Sequence, residues 1–151
     1  MDLMKTLKKE NIFIADFYEN TDSFYNDYAN FLKKNDLIKD SESVKRLFIK
    51  RENVQSTAIK KGAAAPHIFS NEFSAFLFSV ALIKMGMDFK APDQQNVFLV
   101  FLIMSDEREV GLHLKSLAHI ARLVRCTDIV EEAKKAANVD ELYNIILKKD
   151  K

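Results

Sequence analysis

No tryptophan occurs in the 151 residues, and cysteine occurs once, as Cys126. A single thiol excludes an internal disulfide framework and any cysteine-built zinc site, and it suits a reducing cytoplasm. Only three glycines and two prolines are present, so there is no flexible linker or low-complexity tract, and nothing marks a domain boundary. An excess of charge of one sign is also missing: 23 basic residues face 22 acidic ones, for a formal charge of +1. That excludes the global basic field of a nucleic-acid binder. The basic cluster Lys45, Arg46, Lys50 and Arg51 lacks the interleaved aromatics of a stacking module. No apolar run approaches the ~20 residues that span a bilayer, and the start, MDLMKTLKKEN, has no apolar segment of the kind a secretory signal carries. Three dispersed histidines without an H-x-x-x-H pair offer no metal ligand set. Neither a P-loop, nor a G-x-G-x-x-G turn, nor a G-x-S-x-G elbow occurs, so no cofactor is expected. The expectation is a single domain, 1–151, cytoplasmic, without membrane insertion, cofactor or metal.

What is present is a strong alternation of element types. Ile12-Phe13-Ile14 reads as a strand. Thr21-Asp22-Ser23 offers caps for a helix over roughly 22–35, with Phe24, Tyr28, Phe31 and Leu32 at helical spacing. Asp40-Ser41 caps a second helix with Val44, Leu47 and Phe48 on one face. The segment Ser56-Thr57-Ala58-Ile59 is a candidate short strand. FLFSVALI (76–83) and NVFLVFLIM (96–104) are nearly continuous apolar runs, as strands covered on both faces require, with a Gly86/Pro92 loop between them. Three helices complete the chain: 106–125, with Val110, Leu114, Leu117, Ala121 and Val124 in one stripe, then one around Ile129–Ala137, then one from Val139. The predicted order is β-α-α-β-β-β-α-α-α. It implies a three-layer α/β/α sandwich, an α/β fold with a mixed sheet.

His67 is the most informative histidine. It follows Pro66, which fixes its own φ and pushes Ala65 toward an extended conformation, so the imidazole projects from a constrained segment between strands. By position alone it is either a turn histidine at the surface or a reactive group. His113 lies at the edge of the buried stripe, in the first turns of its helix, where anions are attracted. It reads equally well as a half-buried core histidine. His119, about 120° further round the helix, reads as a surface residue.

Several short motifs decide between these readings together. Arg51-Glu52, then Ser56-Thr57, then Gly62-x-Ala64-x-Pro66-His67 resembles the signature of type-2 enzyme IIA domains of the phosphotransferase system, the fructose/mannitol/nitrogen-regulatory class. NVFLVFLIMS followed by HLKSLAHIARLV is similar to that family's second block, and VDELYNIIL to its closing helix. The resemblance implies a phosphocarrier. His67 would be the phosphorylated nucleophile, Arg51 would lie beside it as a guanidinium fork for the phosphoryl oxygens, and His113 would hydrogen-bond the phosphoryl group. Thr57 would either bond near the site or satisfy a strand end. The implied donor is the histidine phosphocarrier protein. The implied acceptor is an enzyme IIB domain met in trans, since no IIB or membrane segment is fused in the sequence. The alternative is a nitrogen-class regulator whose phosphorylation state controls partner proteins.

A neutral imidazole suits this chemistry. It is nucleophilic near neutral pH, and a covalent intermediate divides one transfer into two. Phosphoryl transfer asks mainly for positioning and charge neutralisation. The chain departs from the family pattern at the turn, where Lys60-Lys61 replaces residues of a glycine-rich sequence. It also departs at Ala63 and Ala65, usually isoleucines, and at Ile68, usually small. These changes imply a reshaped loop, an added positive potential, or a regulatory variant with weaker transfer.

Overall fold

The computed structural model describes residues 2–70 and 76–150. Two apolar runs organise everything else. They form the long central strands β4 (Leu77–Met87) and β5 (Val97–Ser105), which pair antiparallel. Along both, alternate side chains enter opposite cores: Phe78, Val80, Leu82, Leu99, Phe101 and Ile103 enter one, and Leu77, Ala81, Ile83, Val100, Leu102 and Met104 the other. Strand side chains alternate in direction, so a run that is apolar at every position is one that needs cover on both sides.

That cover comes from helices. On one face lie α1 (Thr21–Lys34) and α2 (Ser41–Val54); on the other lie α3 (Val110–Cys126), α4 (Ile129–Ala133) and α5 (Val139–Lys149). The first face is aromatic: Phe24, Tyr25, Tyr28, Phe48 and Phe89 are all buried there, with the Tyr25 and Phe48 rings stacked 5.2 Å apart. The second is mostly aliphatic, with Ile120, Leu123, Val124, Leu142 and Ile146 against the sheet.

The sheet is mixed and open. β1 (Ile12–Ala15) runs parallel to β4, while β2 (Ala63–Ala64) and β3 (His67–Phe69) both run parallel to β5, in the order β1-β4-β5-β2 with β3 also on β5. The three-layer arrangement is the expected one, and the helix order agrees. The strands between α2 and α3 differ in detail. Residues 57–59 form no strand of their own but fold back antiparallel on 63–65, with an Ala58–Ala64 bridge and with Ile59 N–H to Ala63 O and Ala65 N–H to Thr57 O, both 2.9 Å. Two short strands, β2 and β3, supply the pairing instead.

β4 also runs past the expected end. Gly86, read as a loop residue, lies inside it at φ +73°, where the register with β5 shifts. An added Cβ there would stand 2.7 Å from the Phe98 ring, so glycine is needed both for the backbone sign and for the close approach. Asp40 caps α2 as expected, accepting from Glu42 and Ser43 N–H. α1 is capped by Asn20 rather than by the residues after it.

Candidate functional site

His67 opens β3, where the Pro66 carbonyl accepts Ile103 N–H at 2.9 Å and fixes the strand start against β5. The imidazole is half-buried. Its Nδ1 lies 2.9 Å from the Ala65 carbonyl oxygen. A carbonyl can only accept, so Nδ1 carries the hydrogen, and the Nε2 lone pair is left for chemistry.

His113 meets the face of β3 that carries His67 and Phe69. It stands in the first turn of α3, and its ring centroid is 6.5 Å from that of His67, nearly perpendicular. Phe69, two residues beyond His67, stacks on the His113 ring at 4.3 Å, and Phe76 meets it edge-on at 6.2 Å. These aromatics bury the residue to 2 % exposure, yet neither ring nitrogen has a hydrogen-bond partner among the described residues. Burial, with a smaller contribution from neighbouring His67, pushes its pKa down to about 4. His113 is therefore neutral near pH 7, with one N–H to give and one lone pair to receive. A buried polar group left unpaired is costly. Here two such atoms belong to a ring whose centroid is 6.5 Å from that of His67.

Arg51 lies in the last turn of α2, and its Nη1 donates to the Gln55 carbonyl at 2.9 Å. Among the described residues no hydrogen bond, ion pair or ring contact joins it to His67 or His113. The structure thus brings the two histidines together and leaves Arg51 as a cap on its own helix. Thr57 bonds to α2: its N–H and hydroxyl both donate to Glu52, at 2.6 and 2.7 Å. Glu52 is a residue to which sequence reasoning gave no role. Its carboxylate also accepts the Tyr25 hydroxyl, from 27 residues away in the chain, which no local spacing reveals. His119, expected at the surface, is partly covered, and its Nε2 donates to Asp150 at 2.6 Å.

The altered turn has a definite structure. Lys61 takes a left-handed φ of +65° and Gly62 one of +82°. Lys61 N–H donates to Asp93, and its Nζ reaches the Arg125 carbonyl at 2.8 Å, at the far end of α3. Twelve residues separate Arg125 from His113, roughly 18 Å along a helix. The Lys61 charge is therefore spent on a helix C-terminus, away from the two histidines. Among the described residues no cluster of three or more His, Cys, Asp or Glu is placed to hold a metal ion, and no helix is long and apolar enough to cross a membrane.

Comparison with known proteins identifies the family and the fold. The chain is 32% identical over 104 residues to the nitrogen regulatory protein of Bradyrhizobium diazoefficiens, covering 69% of this chain and 68% of that one. It is 25% identical over 151 residues to the PTS system fructose-specific EIIABC component of Bacillus subtilis, of which it spans 24%. Its fold matches the crystal structure of nitrogen regulatory protein IIA-Ntr from Neisseria meningitidis with a TM-score of 0.82 at 21% identity, over 95% of this chain and 98% of that one. IIA mannitol from Escherichia coli matches with a TM-score of 0.76 at 18% identity, over 93% and 98%. Residues 5–149 match the family described as phosphoenolpyruvate-dependent sugar phosphotransferase system, EIIA 2, and the chain belongs to that family.

Proposed function

We propose that the chain is a phosphocarrier in which His67 accepts a phosphoryl group from the histidine phosphocarrier protein and passes it to an enzyme IIB partner. The observation that carries this reading is the pairing of a tautomer-fixed imidazole with an unpartnered buried one, 6.5 Å apart. The Nε2 lone pair of His67 attacks phosphorus as the donor's P–N bond breaks, and the bonding pair returns to the donor imidazole. Nε2 carries no proton, so none has to leave. The positive charge left on the His67 ring is held by Nδ1–H against the Ala65 carbonyl. The His113 N–H donates to a phosphoryl oxygen, which satisfies a buried group that is otherwise unpaired. Arg51 completes the site by turning from the Gln55 carbonyl toward the phosphoryl charge, for which its planar fork is suited. In this reading the chain works as one carrier domain, 1–151, in the cytoplasm.

A second reading keeps the same chemistry and changes its output. The relative at 32% identity is named a nitrogen regulatory protein, which favours a chain whose phosphorylation state controls partner proteins. A solved complex of enzyme IIA and phosphorylated enzyme IIB for mannitol, from Escherichia coli, shares the fold at a TM-score of 0.72 and favours onward transfer.

Incubation with phosphoenolpyruvate, enzyme I and the phosphocarrier protein, followed by intact mass, tests the shared step. One acid-labile phosphoryl group is expected, absent in His67→Ala; equal labelling of His67→Ala overturns the assignment. Adding IIB domains then separates the readings by whether the label moves. Removing a charge-assisted contact costs on the order of 1.5–3 kcal/mol, so Arg51→Ala should slow labelling roughly 10- to 150-fold. Arg46→Ala should leave it unchanged, and equal rates in quench-flow remove Arg51 from the site.

A further inference from the structure

The tautomer of His67 hangs on one carbonyl, that of Ala65, in a segment tied to β5 through two short strands and the Pro66 carbonyl. β2 has two residues and β3 has three, and Ala65 lies between them. Its own N–H is held by the Thr57 carbonyl at 2.9 Å. Thr57 in turn is gripped twice by the Glu52 carboxylate: Oε2 accepts the backbone N–H at 2.6 Å and Oε1 the hydroxyl at 2.7 Å. Oε1 also accepts the Tyr25 hydroxyl at 2.5 Å. Tyr25 is buried to 1 % exposure in the aromatic core, stacked on Phe48. Burial, and then the nearby Glu52 charge, push the pKa of this phenol well up, so it stays a neutral donor.

We infer that Glu52 is a positioning residue for the phosphoryl acceptor: a chain of hydrogen bonds from Tyr25 through Glu52 and Thr57 to Ala65 holds His67 in the Nδ1–H form. The inference deepens the proposed function, on which it rests for its catalytic consequence. Glu52 does not touch the His67 ring. It sets the place of the Thr57 arm, which sets the place of the Ala65 backbone, and the Ala65 carbonyl selects which nitrogen carries the hydrogen. In a neutral histidine either nitrogen can be the donor; the relay chooses the one that leaves Nε2 bare. The carboxylate accepts from all three groups, one N–H and two hydroxyls. An amide in its place keeps one acceptor for the Thr57 N–H but turns its N–H₂ toward the hydroxyls, which must then accept instead of donate.

The test has a readout that a purely structural role leaves alone. In the ¹⁵N-labelled, unphosphorylated protein, the His67 ring nitrogens should report an almost pure Nδ1–H tautomer. In Glu52→Gln, a mixture of the two tautomers is expected at temperatures well below its melting point. Labelling by the phosphocarrier protein should slow about 3- to 10-fold per folded molecule, the cost of loosening one or two neutral hydrogen bonds. Thr57→Val removes the hydroxyl donor and should shift the tautomer in the same direction. Thr57→Ser restores it and should return both readouts to wild type, which keeps the test decisive if Glu52→Gln folds poorly. An unchanged tautomer in both Glu52→Gln and Thr57→Val overturns the relay, whatever happens to labelling. A shifted tautomer with no labelling of the wild-type chain supports the relay and sinks the phosphocarrier reading instead.

Discussion

The two ends of α3 use the same kinds of side chain to opposite purposes. At its C-terminal end and the neighbouring chain terminus, polar groups are committed to one another: Lys61 Nζ to the Arg125 carbonyl, His119 to Asp150, Lys149 to Asp128 at 2.6 Å. At its N-terminal end His113 is more deeply buried than His119 and has nothing to bond to among the described residues. The first arrangement contributes to stability and leaves no donor over. The second costs stability and leaves a donor unused beside His67, the proposed phosphoryl acceptor. Groups left unpaired where pairing would be easy are the mark of a site whose partner arrives during function. The comparison predicts that substitutions at the two ends fail differently.

The largest effect is expected from His113→Phe. Phenylalanine keeps the ring against Phe69 and removes both unpaired nitrogens, so folding should be unharmed or slightly strengthened, because a lost buried polar group leaves no orphan. Phosphohistidine chemistry at His67 should suffer: the rate of labelling, the lifetime of the phosphoryl group, or both should fall about tenfold, the worth of one hydrogen bond to a charged group. Urea unfolding and a labelling time course on the same preparation check the two halves. A variant that loses stability and labels normally would make His113 a core residue and nothing more.

The next effect is a pH dependence. In the folded chain the His113 pKa is about 4, against an ordinary value near 6.5. Between those values the unfolded chain binds a proton that the folded chain does not, so this group makes stability fall as pH drops through that window, at about 1.4 kcal/mol per unit. From pH 6.5 to 5 the loss is about 1.6 kcal/mol, since the unfolded group is already half protonated at the upper limit. This loss should be absent from His113→Phe and appear in full as the change in the difference between wild type and variant, measured by urea melts at both pH values. Parallel curves would show that His113 is not held neutral by burial.

How much of this was legible beforehand follows from the range of each interaction. The long strands and the helices announce themselves through period and caps, signals contained within a dozen residues. Asp40 and the apolar runs of β4 and β5 are the clearest cases. β2 and β3 are too short to show a period, and the 57–59 arm pairs only with its own neighbour, so the chain between α2 and β4 read as strand, turn and loop. The motif containing Pro66 and His67 singled out the proposed phosphoryl acceptor, and its nearness to His113 was expected from the family likeness. Glu52 stood out only as half of the Arg51-Glu52 motif and its role was not legible, because its partner Tyr25 meets it only after α1 and α2 have packed together.

At the committed end the effects should be smaller and confined to folding. His119→Ala breaks a partly buried pair with Asp150 and should cost up to about 1 kcal/mol. Its labelling by the phosphocarrier protein should match wild type, since the lost bond is to the chain terminus and not to His67. Slower phosphorylation in His119→Ala at full folding would merge the two ends of α3 into one site and dissolve the contrast.

The smallest effect separates two properties of Lys61. Its backbone sits at φ +65°, which costs an L residue roughly 1–2 kcal/mol and costs glycine nothing. Its Nζ caps the Arg125 carbonyl from an exposed position, worth about 0.5–1 kcal/mol. Lys61→Ala keeps the strain and loses the cap, so it should be destabilised by about that last amount. Lys61→Gly loses the cap and relieves the strain, so it should be as stable as wild type or slightly better, and about 1 kcal/mol above Lys61→Ala. Chemical denaturation of the three proteins reads the order directly. Both variants should be labelled on His67 at the wild-type rate, because the ammonium is tied down at the opposite end of α3 from His113. If both lose labelling equally while their stabilities diverge as described, the Lys61 charge acts on the phosphoryl donor at a distance. The far end of α3 would then be part of the donor's path to His67 rather than a structural counterweight to it.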